Sequence, residues 1–284
     1  MTLVACWFAR GELTVAADTR LSNSGDTGGA VRITDRATKI FTTPVSIAER
    51  KGKSWRHRDY PPIGFAFAGS SLFANSIQAV AAISLQNLFG KIGGIGPSIF
   101  EIAELYERVT KLIGDDIGES QGRFPDLQAF VFGYCRRKKE NSLWALATHV
   151  EANELQITLD ELNTQDGIAY AIGSGADEFV RIHGEHRAEG VTLTPFDNFE
   201  LVVRSGKVPS VSSHRQYATC TKGGARLVPA LVPSKSKDDP VTISIIGCDA
   251  RELGPVGTFS VGHEVLGPSL SSFWSPTGEK WPRS

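Results

Sequence analysis

This sequence is short of the features that mark binding to charged partners or metals. Its 284 residues carry 30 basic and 31 acidic side chains, a formal net charge of −1, so no surplus of one sign exists to draw in nucleic acid or an anionic membrane. Cysteine is sparse: Cys6, Cys135, Cys220 and Cys248 lie far apart, without the short spacings of a zinc clip or redox pair. Thiols scattered in this way imply a reducing compartment, where free cysteine packs as a small hydrophobe. No stretch reaches the roughly 18 apolar residues of a membrane-crossing helix, and no basic then apolar leader opens the chain. A soluble, cytoplasmic protein with no membrane and no nucleic-acid partner is expected.

Signatures of bound groups are missing too. Lys91-Ile92-Gly93-Gly94-Ile95-Gly96 is too short and too unlike a phosphate loop to hold a nucleotide. No Gly-x-Ser-x-Gly elbow marks a serine nucleophile. His183-Gly184-Glu185-His186 reads as a glycine-containing turn rather than the i, i+4 helical pair that aligns a zinc ion. Neither a metal nor a cofactor is expected.

What is present is enough apolar residue, 41% of the chain, to bury a sizeable core. The reading is one domain over residues 2–266, followed by a tail, 267–284, whose Phe273, Trp274 and Trp281 show no periodicity and suit a docking arm between subunits. Near the start, Leu3-Val4-Ala5-Cys6-Trp7-Phe8 and Leu13-Thr14-Val15-Ala16-Ala17 flank a glycine-containing connection and predict a hairpin. Such a hairpin pins Thr2, and at its far end Asp18 and Arg20 share a face. Removal of Met1 gives Thr2 a hydroxyl nucleophile and, in its own α-amine with a pKa of about 8, a general base.

Periodicity predicts helices over 71–89, stopped by Gly90, and over 97–113, then strands over 127–135 and 142–150 with Arg136-Arg137-Lys138-Lys139 as a solvated tip. Strands over 154–159 and 168–172 extend that sheet, helices follow over 177–183 and 196–203, and strands return over 241–248 and 258–265. The basic stretch 50–62 reads as a long surface hairpin or as a gate over a neighbouring pocket. Periodicity alone gives a mixed α and β chain, largely antiparallel.

One order of residues carries more. Thr2, the Asp18-x-Arg20 pair, Lys39 before Ile40-Phe41, Phe67-Ala68-Gly69 before a helix, and Ala171-Ile172-Gly173-Ser174-Gly175 before another closely resemble the proteasome-type branch of the N-terminal nucleophile hydrolases. That branch comprises the catalytic β subunits of proteasomes and their smaller bacterial relatives. The first 70 residues carry nearly all of the likeness. The resemblance implies an α+β, four-layer αββα sandwich and a threonine-type peptidase working through an acyl-enzyme on Thr2. It implies catalytic roles for Thr2, Asp18, Lys39, Gly69 (a backbone donor to the oxyanion) and Ser174, and substrate contacts from Arg20, Phe67, Ser70 and Ser71. It also implies peptide or unfolded-protein substrates and a homo-oligomeric ring or spiral, with an ATPase partner left open. The family usually places an aspartate three residues before a Ser-Gly-Gly near the terminal amine; the nearest segment here is Lys222-Gly223-Gly224, with Thr219 in the acid's place. Two other readings stay open: a non-catalytic assembly subunit of the same fold, and an amidase or acylase acting on a small amide.

Overall fold

The computed structural model describes residues 2–24, 30–51, 53–91, 96–188, 193–232, 241–260, 262 and 265–267. The chain opens with β1 (Val4–Ala9) and β2 (Glu12–Asp18). Between them Arg10 and Gly11 both take positive φ, 54° and 75°, the two-residue turn whose twist suits a hairpin. Asp166 holds that turn by accepting from both backbone N–H groups, at 3.0 and 3.2 Å. A small hairpin of β3 (Leu21–Ser24) and β4 (Ala30–Thr34) follows, then the long strands β5 (Ile40–Lys51) and β6 (Ser54–Gly69).

Next come α1 (Ser71–Gln86), β7 (Leu88–Lys91) and α2 (Ile99–Gln121), then β8 (Leu127–Cys135), β9 (Glu140–Glu151), β10 (Glu154–Leu162) and β11 (Ala169–Ile172). The helices α3 (Ala176–Ala188) and α4 (Pro195–Ser205) precede β12 (Arg215–Thr221), β13 (Gly224–Val228) and β14 (Ala230–Val232). The described chain closes with β15 (Thr242–Ile245), β16 (Cys248–Asp249) and the short α5 (Ala250–Leu253).

Two large sheets organise these elements. One runs β11-β1-β2-β12-β13 and the other β10-β9-β8-β6-β5-β7. Their facing sides share a core of Val4, Cys6, Phe8, Leu13 and Val15 against Ile40, Ala66, Phe130, Phe132 and Leu143. The alternate residues of β1, with Leu3 before it, turn the other way: Leu3, Ala5 and Trp7 pack with Phe179 of α3 and Phe199 and Val202 of α4. Burial on both faces is why β1 is a continuous apolar run rather than an alternating one. On the outer side of the second sheet, Phe65, Phe67 and Val131 meet Phe73 and Ile77 of α1 and Ile102 and Tyr106 of α2.

Several expected boundaries move. α1 stops at Gln86, and Leu88–Lys91 instead pairs in parallel with β5, from Ile47↔Leu88 to Arg50↔Lys91. α2 runs on to Gln121, from a capping box of Ser98 and Glu101 to Gly122 in the left-handed conformation, φ 67°. β11 does not extend the β8–β9–β10 array; it pairs with β1 and so belongs to the other sheet. The run 241–248 is broken into two strands by Ile246 and Gly247, both at positive φ. Over 258–265 the described residues form only an isolated Val256↔Phe259 bridge, beside an Ala230↔Leu266 bridge. β12 and β13 were not expected at all. His183 and His186 lie in α3 rather than in a turn, and both imidazoles bond the buried Asn198 amide, at 2.9 and 2.7 Å. The stretch 50–62 is the distal part of the β5–β6 hairpin, paired as far as Lys51↔Ser54, with Arg58 bridged to Glu49 at 2.8 Å. Apart from Gly267, the expected docking arm, 267–284, lies outside the described residues.

Candidate active site

Thr2 lies just before β1 and is 3% exposed. The turn between β11 and α3 closes around it. Ser174 Oγ accepts from the Thr2 nitrogen at 3.1 Å, and the Gly175 N–H donates to the Thr2 carbonyl at 3.2 Å. Gly173 adopts φ +88°, and a Cβ there would stand 2.2 Å from the Thr2 carbonyl oxygen. Gly173→Ala is therefore expected to lower stability by about 1–3 kcal/mol, the range for a non-glycine residue held at such a φ. Urea denaturation reads this out, and an unchanged midpoint would contradict it.

Behind Thr2 lies a buried ion pair. Lys39 and Asp18 are both fully buried, and Lys39 Nζ stands 2.9 Å from Asp18 Oδ1 and 2.6 Å from Thr2 Oγ. Burying two charges is expensive unless their remaining hydrogen-bond capacity is met, and for Asp18 it is. Oδ1 also accepts from the Leu3 N–H at 2.8 Å, and Oδ2 accepts from the Arg20 and Ser212 N–H groups, both at 2.9 Å. Burial pushes the Lys39 ammonium below the usual lysine pKa, while the Asp18 charge and hydrogen bond pull it partly back. The result is a fixed, desolvated cation donating to the threonine hydroxyl, suited to hold negative charge on that oxygen.

The other expected residues fall around this centre in different ways. Arg20 reaches Asp18 only through its backbone; its guanidinium pairs with Asp35 at 2.6 Å and donates to the Pro209 carbonyl at 2.6 Å. Gly69 ends β6 at φ +113°, where a Cβ would strike the Asp126 carbonyl oxygen at 2.4 Å. Crowding by the backbone at the entry to β8 thus accounts for this glycine, independently of any ligand. Phe67 is 1% exposed and packs between Phe41 and Phe65, with ring centroids 6.2 and 6.3 Å away. It fills the core rather than facing an open cleft. Ser70 is the N-cap of α1 and makes no side-chain cap bond, while Ser71 begins that helix, part-buried. Thr219 pairs with Thr14 in mid-strand and Gly224 begins β13, so the segment compared with Ser-Gly-Gly stands away from the Thr2 nitrogen.

The groups that do approach were missed. Ser210 Oγ lies 2.7 Å from Ser174 Oγ, and Ser212 supplies one of the three backbone donors to Asp18. The available signal was the run Ser210-Val211-Ser212-Ser213 in the segment between α4 and β12. Three residues before Ser210 stands Lys207, with its ammonium 3.8 Å from Glu178.

No family model and no curated protein sequence matches this chain. Among solved structures it is similar to Anbu (ancestral beta-subunit) from Yersinia bercovieri, at 14% identity and TM-score 0.48 over 76% of this chain and 80% of that one. It is similar to the chain in a helical assembly of the Anbu complex from Pseudomonas aeruginosa, at 15% identity and TM-score 0.48 over 84% and 88%. It is also similar to Thiobacillus denitrificans BPH, solved in complex with epoxomicin, at 16% identity and TM-score 0.44 over 76% and 97%. At such identities the chemistry of the site is read from this chain's own geometry.

Proposed function

We propose that this chain is an N-terminal threonine hydrolase of the proteasome type that cleaves peptide bonds through an acyl-enzyme on Thr2. The observation that carries the reading is the Lys39 ammonium, 2.6 Å from Thr2 Oγ and 2.9 Å from the buried Asp18 carboxylate. Cleavage of the Met1–Thr2 bond turns the Thr2 nitrogen into an amine. That amine takes the proton of Oγ, directly or through a water, as Oγ attacks the substrate carbonyl. Lys39 stabilises the oxygen as it loses the proton, and the Gly69 N–H faces the oxyanion. The leaving amine receives the proton from the Thr2 ammonium, and water activated by the same amine then hydrolyses the ester. Ser174 orients the amine, Arg20 supports the strand end at Asp18, and Ser70 and Ser71 border the substrate, while Phe67 packs in the core.

The same reading takes residues 2–266 as one domain of four layers, helices, sheet, sheet and helices, and residues 267–284 as an arm contacting a neighbour in a homo-oligomeric ring or spiral. It places the protein in the cytoplasm. Intact-mass measurement tests the first requirement: loss of Met1 is expected, and a retained Met1 leaves the Thr2 nitrogen an amide that cannot act as base. A fluorogenic peptide panel tests the second, with hydrolysis expected from the wild type, retained in part by Thr2→Ser and absent in Thr2→Ala. Equal rates for wild type and Thr2→Ala would end the proposal.

One observation favours a second reading, a non-catalytic assembly subunit. The described groups that reach the Thr2 nitrogen or its serine partner are hydroxyls, Ser174 and Ser210, and at the position three residues before Ser210 stands the cation Lys207. A retained Met1 together with a stable oligomer would decide for it.

A further inference from the structure

The side chains of Asp18 and Lys39 are held by groups already described, but the backbone that carries Lys39 is held by something else. β5 has β6 along one side. Along the other, β7 pairs only with Ile47 to Arg50, so among the described residues the first part of β5 has no strand beside it there. A side chain from the opposite sheet takes that place. Gln216 of β12 is 4% exposed; its Oε1 accepts from the Lys39 and Ile40 N–H groups at 2.9 and 3.0 Å, and its Nε2 donates to the Ile40 carbonyl at 2.6 Å.

These bonds shape as well as hold. Successive N–H groups of a regular strand point to opposite sides, so the convergence of two neighbours on one oxygen fixes a bend where the chain enters β5. The Lys39 carbonyl is tied from the other side by the Phe67 N–H at 3.1 Å. Arg215, one residue earlier on β12, sends its guanidinium to Glu200 of α4 with both contacts at 2.5 Å, as strand alternation requires. The amide of Gln216 is thereby committed to the inter-sheet face. We propose that Gln216 is a positioning residue: by clamping the backbone at 39–40 it holds the Lys39 ammonium on the Thr2 hydroxyl and so sets how reactive that hydroxyl is. This rests on the reading of Thr2 as the nucleophile, and the position needs a neutral group that both accepts and donates.

The test uses the full-length chain with Met1 removed and p-nitrophenyl acetate as the acylating probe, following Thr2 acetylation by intact mass and titrating the Lys39 ammonium by nitrogen-15 NMR. Gln216→Met is expected to slow acylation by about 10- to 100-fold, the order of loss from misplacing a reacting group by about 1 Å, with little change in probe affinity. Its Lys39 ammonium is expected to titrate closer to an ordinary lysine, because a released side chain relaxes toward water. Gln216→Glu supplies the conservative comparison. Its buried carboxyl, when protonated, accepts and donates as the amide does, so this variant should approach wild-type rates at low pH and lose them as the pH rises. A Lys39 titration identical in wild type and Gln216→Met, or equal rates for the two variants at every pH, would overturn the proposal. If Gln216→Met does not fold, the pH dependence of Gln216→Glu decides. If wild type is never acetylated on Thr2, the nucleophile reading fails instead, and the Lys39 titration alone decides the positioning role.

Discussion

Asp18→Asn is expected to destabilise the folded chain by about 3–5 kcal/mol, the range for removing one partner of a buried ion pair. The replacement has the same shape, so the loss is not one of packing. It leaves the Lys39 ammonium buried without its countercharge, and it turns an acceptor of three backbone N–H groups into a side chain that is half donor. The sign of the pH dependence follows. Lys39 already titrates below the ordinary lysine value of 10.5 because of burial, and without Asp18 it falls further. The unfolded chain then binds the proton more tightly, so stability rises with pH between the folded pKa and 10.5. The deficit of Asp18→Asn should therefore narrow as pH is raised through that window. Denaturant midpoints at several pH values check this, and Asp18→Asn/Lys39→Met should recover part of the lost stability. A single variant as stable as wild type would show that the pair is not buried as described.

Lys39→Met is expected to act on rate as well as on fold. Asp18 keeps its three backbone donors when the lysine is gone, which offsets part of the cost of leaving its charge buried without a partner, so the melting transition should drop yet remain cooperative. Turnover of a peptide substrate should fall by about 10²–10³-fold, the loss expected for one preorganised donor aimed at developing negative charge. The pH profile adds a readout that a structural defect would not give. A cation next to the Thr2 amine disfavours the ammonium form and lowers its pKa, and the amine works only when neutral. Removing Lys39 raises that pKa, so the acid limb of the rate profile should move to higher pH. A variant with wild-type kcat would separate the ammonium from the chemistry altogether.

Much of this was legible in the residues. The β1–β2 hairpin announced itself because both strands are apolar and the connection is short, and β8 matched its expected bounds, Leu127–Cys135. Thr2, Asp18, Lys39 and Ser174 were singled out by the family resemblance that their order carries, and they converge. β12 was invisible for a physical reason. Its Arg215 serves Glu200 on one side and its Gln216 serves Lys39 and Ile40 on the other, so a central, buried strand begins with two polar residues and shows no hydrophobic alternation. β7 was hidden because Leu88 and Phe89 continue the apolar stripe of α1, and only pairing with β5 decides that they are extended. The role of Ser210 and Ser212 depends on where α4 delivers the chain, which no local pattern encodes.

The register of the five-stranded sheet has a temporal consequence. β1 is flanked by β2, its neighbour in the chain, and by β11, which is made more than 150 residues later; Ser212 and Gln216 come later still. A ribosome adding about 5–20 residues per second needs roughly 10–40 s to travel from Thr2 to Gln216, and during that time the threonine hydroxyl has neither its serine nor the clamped lysine beside it. On the proposed reading of Thr2 as the nucleophile, the nascent chain would carry it in an unarmed form until translation is nearly over.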